Sequence, residues 1–471
     1  MTQSSTAITG RVRLAAARPL PRRRAPRRWW RDLAGSLAVL SMVVVTALWI
    51  AGGGIRNLSG LGEPATTLGR LTGLWASDLL LIQVLLMTRI PWVERSYGQD
   101  WLARRHRLTG FASFWLMITH VTLITVGYAQ SGDGRFLRTA WRLVATYPGM
   151  LLAAAGTILL ILVVILSVRA ARRRLRYESW HLLHLYAYLG VGLALPHQIW
   201  TGADFGFSPL ARAYWWGLYA ATLGAVVAFR VALPLWRSVY HRLRVAQVVA
   251  EAPGVVSVYL RGHHLERLPV RAGQFFLWRF LDGPGWTRAN PFTLSAGPAP
   301  DLLRITVKDS GDGSRRARHL RPGTRVLIEG PYGTLTTARS QGRPPLLIAA
   351  GVGITTMRAL LDDLGPADVG AVLLYRTRDR SRAVFRAELD DLARRHGVRV
   401  VYLEGGRAAH GSWLPAHRGA DDVAVLRWLV PDVADREAYL CGPPSWMTSV
   451  RADLRAAGMT DSLIHSEEFA W

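Results

Sequence analysis

"RRHRLTGFASFWLMITHVTLI", residues 104–124, and "SWHLLHLYAYLGVGLALPHQIW", residues 179–200, are each apolar enough to cross a membrane, yet each carries imidazoles near one end and deep inside. In the first, His106 and His120 lie 120 − 106 = 14 residues apart. In the second, His184 and His197 lie 197 − 184 = 13 residues apart, with His181 just before them. A polar, ionisable side chain inside a membrane span is costly, so it marks a functional position unless it only hydrogen-bonds a neighbouring helix. A single such histidine leaves the two readings even. The repeated arrangement favours the functional one.

Working outward, 471 residues leave room for several domains, and a half-apolar composition with positive mean hydropathy describes a protein partly in a membrane. The formal charge of +26 is carried almost entirely by arginine. Its clustering beside apolar runs points to anionic lipid at the cytoplasmic face and away from nucleic acid. Cys441 is the single cysteine, which excludes both an intramolecular disulfide framework and a four-cysteine iron–sulfur cluster.

Six apolar runs of spanning length occupy 33–53, 68–91, 108–128, 149–168, 182–200 and 214–234, each near the roughly 20 residues a membrane helix needs. The preceding "RVRLAAARPLPRRRAPRRWWR" (11–31) holds nine arginines, no acid and no small-residue cleavage site, so the first helix is expected to be retained. Arginine-rich segments return at 169–176 and 236–244, whereas 198–213 carries little charge. The positive-inside rule then puts both termini in the cytoplasm, with the 129–148 loop (Arg135, Arg138, Arg142) a mild exception. On this topology runs three and five point the same way. His106 is level with His184, and His120 with His197.

Two imidazoles facing each other across a helix bundle form an axial pair for haem iron. Two levels separated by ~20 Å, at 1.5 Å per residue, make a ladder of two haems. A 14-residue step returns to within ~40° of the same helix face, but 13 residues miss it by ~140° on an ideal helix. Pro196 stands where it can re-aim His197, and spacing alone leaves His181 open as the inner ligand.

From about residue 245 the texture changes. "AQVVAEAPGVVSVYL" and "LLRITVKD" read as strands of a small antiparallel β-barrel, and after Gly333 strand–turn–helix units read as an α/β layer. The expected organisation is multi-domain: a basic cytoplasmic tail (1–32), an all-α six-helix transmembrane bundle (33–236), an antiparallel β-barrel domain (242–336) and an α/β Rossmann-like domain (343–471).

The paired histidines, followed in order by "RANPFTLSA" (288–296), "LLIAAGVGITTM", "YLCGPPSWM" and a final "IHSEEFAW", resemble the ferric reductase and NADPH oxidase superfamily. The resemblance covers residues 68–471 and leaves out the basic tail. It implies haem ligation by His106, His120, His184 and His197, with His181 as a neighbour. It implies FAD contacts from Arg288, Pro291, Phe292, Thr293 and Ser295; Asn290 departs from the histidine many membrane members place there. It also sets Cys441, Gly442 and Pro443 beside the nicotinamide, and Trp471 or Phe469 as an aromatic stacked on the flavin.

The residues carry part of this unaided. "SGDGSRR" (310–316), with Gly313 and Ser314, offers backbone amides and two cations as a diphosphate cradle, or a plain surface turn. Gly351, Gly353 and Thr355 stand between an apolar strand and a helix, where amides and the helix N-terminus hold a pyrophosphate. Arg376, Arg378 and Arg380 follow the next strand, where a 2′-phosphate needs a guanidinium, so NADPH is expected over NADH. The expected activity is a flavocytochrome b oxidoreductase passing electrons from NAD(P)H through FAD and two haems to an extracytoplasmic acceptor, dioxygen or a ferric chelate. A quinone or periplasmic redox partner is the alternative acceptor. A six-helix transporter or scaffold with a nucleotide-sensing domain is the non-enzyme alternative.

Overall fold

The computed structural model describes residues 29–58, 63–132, 134–168, 177–202, 208–365, 368–406, 411–416 and 421–467. Most of the basic tail, the 169–176 arginine run, Phe469 and Trp471 lie outside the described residues. The chain forms two compact units, parted between Val231 and Ala232.

The first unit is helical: α1 (Trp29–Ala51), α2 (Glu63–Met87), α3 (Pro91–Tyr97), α4 (Gln99–Gln130), α5 (Phe136–Thr146), α6 (Met150–Ser167), α7 (Tyr177–Thr201) and α8 (Pro209–Val226). An apolar chain in lipid must satisfy its own backbone, which the helix does residue by residue. Pro91 and Pro209 sit in first turns, where a missing N–H costs nothing, and Ser208 caps α8 by accepting from the Ala211 amide at 3.2 Å. Among the described residues five helices are long and apolar enough to cross a membrane: Asp32–Ala51, Glu63–Met87, Gln99–Gln130, Met150–Ser167 and Pro209–His241. The expected span at 182–200 is a 25-residue helix, α7, but its histidines and Gln198 keep it below that standard. The loop expected at 129–148 contains the 11-residue helix α5, which buries Thr139 and Leu143 on one side. α2 packs along α4, and α6 along α7.

The second unit begins with α9 (Leu233–His241), which packs on the strand β6. Six strands follow: β1 (Arg244–Ala252), β2 (Val255–Arg261), β3 (Phe275–Phe280), β4 (Asn290–Thr293), β5 (Leu302–Lys308) and β6 (Val326–Tyr332). They form two three-stranded antiparallel sheets, ordered β1-β2-β5 and β4-β3-β6. Bridges between Arg244 and Arg325 and between Leu294 and Ile305 join the sheets at their corners. Leu260, Phe276, Trp278, Leu294, Ile305 and Ile328 fill the space between them. The short α10 (Asp312–Arg316) follows β5.

A five-stranded parallel sheet completes the unit: β7 (Pro345–Ala350), β8 (Val372–Thr377), β9 (Arg399–Glu404), β10 (Glu437–Cys441) and β11 (Ile464–Ser466), ordered β11-β10-β7-β8-β9. Between strands run α11 (Ile354–Asp362), α12 (Arg386–His396), α13 (Asp422–Leu429) and α14 (Pro444–Ala456). β7 and β10 are buried throughout, each covered on both faces, as parallel strands in an α/β layer must be. The strand order reverses between β7 and β10. In open α/β sheets such a switch point opens the crevice where ligands bind, at the carboxyl ends of the strands.

Candidate functional site

In the helical unit the four expected histidines share one habit. His106 Nδ1 bonds the Gln83 carbonyl at 3.0 Å, and His120 Nδ1 the Gly69 carbonyl at 2.8 Å. His197 Nδ1 bonds the Ala194 carbonyl in its own helix. His184 Nδ1 is 3.2 Å from Ser167 Oγ, whose hydroxyl proton already goes to the Val163 carbonyl at 2.7 Å, so the imidazole is the donor. A neutral imidazole that donates from Nδ1 keeps its lone pair on Nε2, the arrangement by which second-shell acceptors prepare histidine for a metal.

The spacing of the rings fits the same use. His106 and His184 have ring centres 6.0 Å apart with planes at 69°. Two imidazoles on opposite sides of one iron, each bonded at about 2 Å, have centres roughly 6 Å apart. His120 and His197 lie within electrostatic range of one another. Trp180 stacks on His184 at 5.2 Å. Among the described residues no three or more His, Cys, Asp or Glu converge. Gly69, Gly73, Ala76 and Gln83 share the face of α2 that meets α4, where Ser113 Oγ also bonds the Ala76 carbonyl at 2.7 Å. A Cβ on Gly73 would stand 2.5 Å from His120 Nδ1.

In the second unit two expected segments meet: a Cβ on Gly313 would overlap the Asn290 carboxamide. Arg288 is exposed just before β4, and Pro291, Phe292 and Thr293 are half-buried along it. Ser314 Oγ accepts from the amides of Ser310 at 2.8 Å and Gly311 at 2.9 Å, so this hydroxyl shapes the turn. Ser295 is fully buried. Its oxygens hold Arg304: Nε to Ser295 Oγ at 3.1 Å, and a second guanidinium nitrogen to the Ser295 carbonyl at 2.5 Å. Ser295, expected among the FAD contacts, supports the motif from within the core.

Gly351, Gly353 and Thr355 lie at the carboxyl end of β7, and Cys441, Gly442 and Pro443 at that of β10, on the two sides of the switch point. A Cβ on Gly353 would overlap the Cys441 carbonyl, so only glycine lets these strand ends approach so closely. Cys441 is buried with Sγ 3.5 Å from Thr356 Oγ1. Burial pushes its thiol up to about 11, which leaves it neutral at physiological pH.

Arg376, expected beside a 2′-phosphate, is bonded within the protein. Its guanidinium donates to the carbonyls of Thr377 at 2.7 Å, Gly405 at 3.0 Å and Gly406 at 2.6 Å, and is committed to tying β8 to the turn after β9. Arg378 and Arg380 are exposed, with Arg380 4.6 Å above the Tyr402 ring. Two features escaped the sequence reading. Glu467 is buried beyond β11 and accepts from the Thr334 amide at 3.3 Å. Arg304 meets Glu388 of α12 at 3.0 and 3.2 Å. An arginine inside the apolar run of β5 was the signal, because a buried charge demands a partner.

Residues 72–195 match the family described as ferric reductase like transmembrane component, and residues 347–452 the oxidoreductase NAD-binding domain. The chain thus fuses a region similar to the ferric reductase transmembrane component to a region similar to oxidoreductase NAD-binding domains. A ferredoxin reductase component of 3-ketosteroid-9-alpha-monooxygenase from Mycolicibacterium smegmatis is 32% identical over 237 residues, 48% of this chain and 65% of that protein. The flavohemoprotein of Bacillus subtilis is 27% identical over 241 residues, 50% of this chain and 60% of that protein. The chain therefore spans less than two thirds of the length of these relatives. The solved FAD/NAD-binding domain of a nitric oxide dioxygenase from Vibrio cholerae is 23% identical, with a TM-score of 0.39 over 48% of this chain and 98% of that one.

Proposed function

We propose that the fusion is a multi-pass cell-membrane flavocytochrome b, with both termini cytoplasmic, that moves electrons from NADPH through FAD and two b-type haems to an extracytoplasmic acceptor, a ferric chelate or dioxygen. What supports this is the common anchoring of His106, His120, His184 and His197 at Nδ1, with the His106 and His184 rings 6.0 Å apart. On this reading α7 is the sixth span despite its polar content, because its histidines face the bundle interior.

Bound FAD would turn one hydride into two single-electron deliveries, and bound haem iron would carry them one at a time. The chain's own residues do the rest. Arg288, Pro291, Phe292 and Thr293 on and before β4, with the amides around Gly313 and Ser314, form the flavin cradle. The turn Gly351–Gly353 and Thr355 receive the nucleotide diphosphate at the N-terminus of α11. Arg378 and Arg380 present guanidinium groups to a 2′-phosphate and favour NADPH over NADH. Cys441, Gly442 and Pro443 close the nicotinamide side, and Phe469 or Trp471 covers the flavin.

The test is a haem and flavin assay on the purified full chain, followed by NADPH oxidation with ferric chelate and with dioxygen side by side. The expected result is two b-type haems per FAD and reduced haem bands on adding NADPH. A colourless protein, or flavin without haem, would refute the proposal.

A further inference from the structure

The helix that begins at Pro209 ends at His241 in α9, whose amphipathicity is inverted. Its buried side is polar: Arg237, Ser238 and His241 are 9%, 8% and 2% exposed. They grip the two-sheet domain, with Arg237 donating to the Gly330 carbonyl and Ser238 Oγ accepting from the Ile328 amide at 3.0 Å. Its outward side is apolar: Leu235, Trp236 and Val239 are 54%, 57% and 67% exposed. An exposed apolar patch of this kind marks a surface that meets another protein or a membrane. Beside this face lies a cavity of about 360 Å³ lined by Trp236, Val239, Tyr240, Arg242, His263 and His264. Trp236 stacks on Tyr240 at 5.2 Å and 15°, and Tyr240 on His264 at 5.4 Å and 28°. Arg267 donates to Tyr240 Oη at 2.7 Å, and Glu266 is the acid at the rim, 3.5 Å from His264.

Aromatic rings at the end of a span, followed by exposed arginines, mark the headgroup layer of a bilayer. We infer that this cavity is a binding site for the phosphate headgroup of an anionic phospholipid, with Arg242 as its principal cation and the three stacked rings as its wall. Acyl chains then cover Leu235, Trp236 and Val239. The site rests on the reading that Pro209–His241 spans the membrane, and is independent of the haem and nucleotide assignments.

The experiment titrates the purified full chain in detergent with short-chain phosphatidylglycerol, short-chain phosphatidylcholine and inorganic phosphate, followed calorimetrically. Saturable binding of phosphatidylglycerol, tighter than phosphatidylcholine, is expected. Arg242→Gln should weaken it about fivefold, the factor matching ~1 kcal/mol per cation at a membrane surface. Arg395→Gln, on α12 and far from the cavity, should leave it unchanged. Equal affinity for the two lipids, binding of inorganic phosphate as tight as the lipid, no saturable binding, or an Arg242→Gln protein that keeps its flavin and binds normally would each overturn the assignment. Flavin and haem content, measured on the same samples, report failure of the electron-transfer reading separately.

Discussion

Three backbone carbonyls and one hydroxyl select which nitrogen of His106, His120, His197 and His184 is held by the protein. If that selection serves iron, then His120→Ala or His197→Ala should each remove about half of the haem while FAD content and NADPH oxidation by FAD persist. A haemochrome assay normalised to flavin decides it, and unchanged haem in both variants would refute the pairing. Residue detail also separates the arginines at the end of β8 and just beyond it. Arg376 is spent on carbonyls, so Arg376→Ala should lower Tm without changing nucleotide preference. Arg378 is exposed, so Arg378→Ala should reduce kcat/KM for NADPH relative to NADH by about ten- to hundredfold, given about 1.5–3 kcal/mol for a charge-assisted bond. The NADPH/NADH ratio of kcat/KM in the two variants is the readout. An unchanged ratio in Arg378→Ala leaves Arg380, over Tyr402, as the phosphate partner.

At the scale of elements, α2 is the surface against which the histidines of α4 are set. Gly73 is missing a side chain where the His120 ring lies, and a Cβ there would also fall 2.8 Å from Cε1. Gly73→Ala should therefore displace His120 and lose haem almost as far as His120→Ala does, with FAD retained. Haem per flavin at the native value would show that α2 does not position this ring. The parallel sheet makes a similar use of close approach, because the turn after β7 reaches its position only by passing the end of β10. α5 formed where a loop was expected, since Arg135, Arg138 and Arg142 hid a one-sided burial of Thr139 and Leu143.

Across the second unit, one ion network joins the two-sheet domain to the parallel-sheet domain. Arg304 of β5 and Arg358 of α11 both contact Glu388 of α12, and Arg358 also meets Asp362, which accepts from the Gly297 amide at 2.7 Å. Burial works against charge on Glu388, yet Arg358 and Arg304 together hold its carboxyl below the usual 4.5. A carboxyl lowered in the folded state stabilises the fold fully above its unfolded value. That stabilisation is lost as pH falls below 4.5 and through the folded value. Glu388→Gln leaves Arg304 buried without its counter-charge and should destabilise the unit by about 3 kcal/mol at neutral pH. Thermal melts at pH 7 and below 4 should show the wild-type and variant Tm converging at low pH. A constant gap would mean that Glu388 acts by packing alone.

Local information sufficed for much of this molecule. Apolar runs of spanning length became helices because a chain in lipid can satisfy its backbone only within itself, and the glycine turn Gly351–Gly353 formed between strand and helix for equally local reasons. The 14-residue step from His106 to His120 and the 13-residue step from His184 to His197 were likewise visible in the order of residues. The decisive partners were not. Gln83 and Gly69 lie 23 and 51 residues from the imidazoles they orient, and Glu388 lies 84 residues from Arg304. Whether Arg376 faces a phosphate or a ring of carbonyls, whether Ser295 faces a flavin or the core, and which side of α9 is turned outward depend on which distant segments pack together. Sequence order records the side chains available for such contacts; only tertiary packing chooses among them.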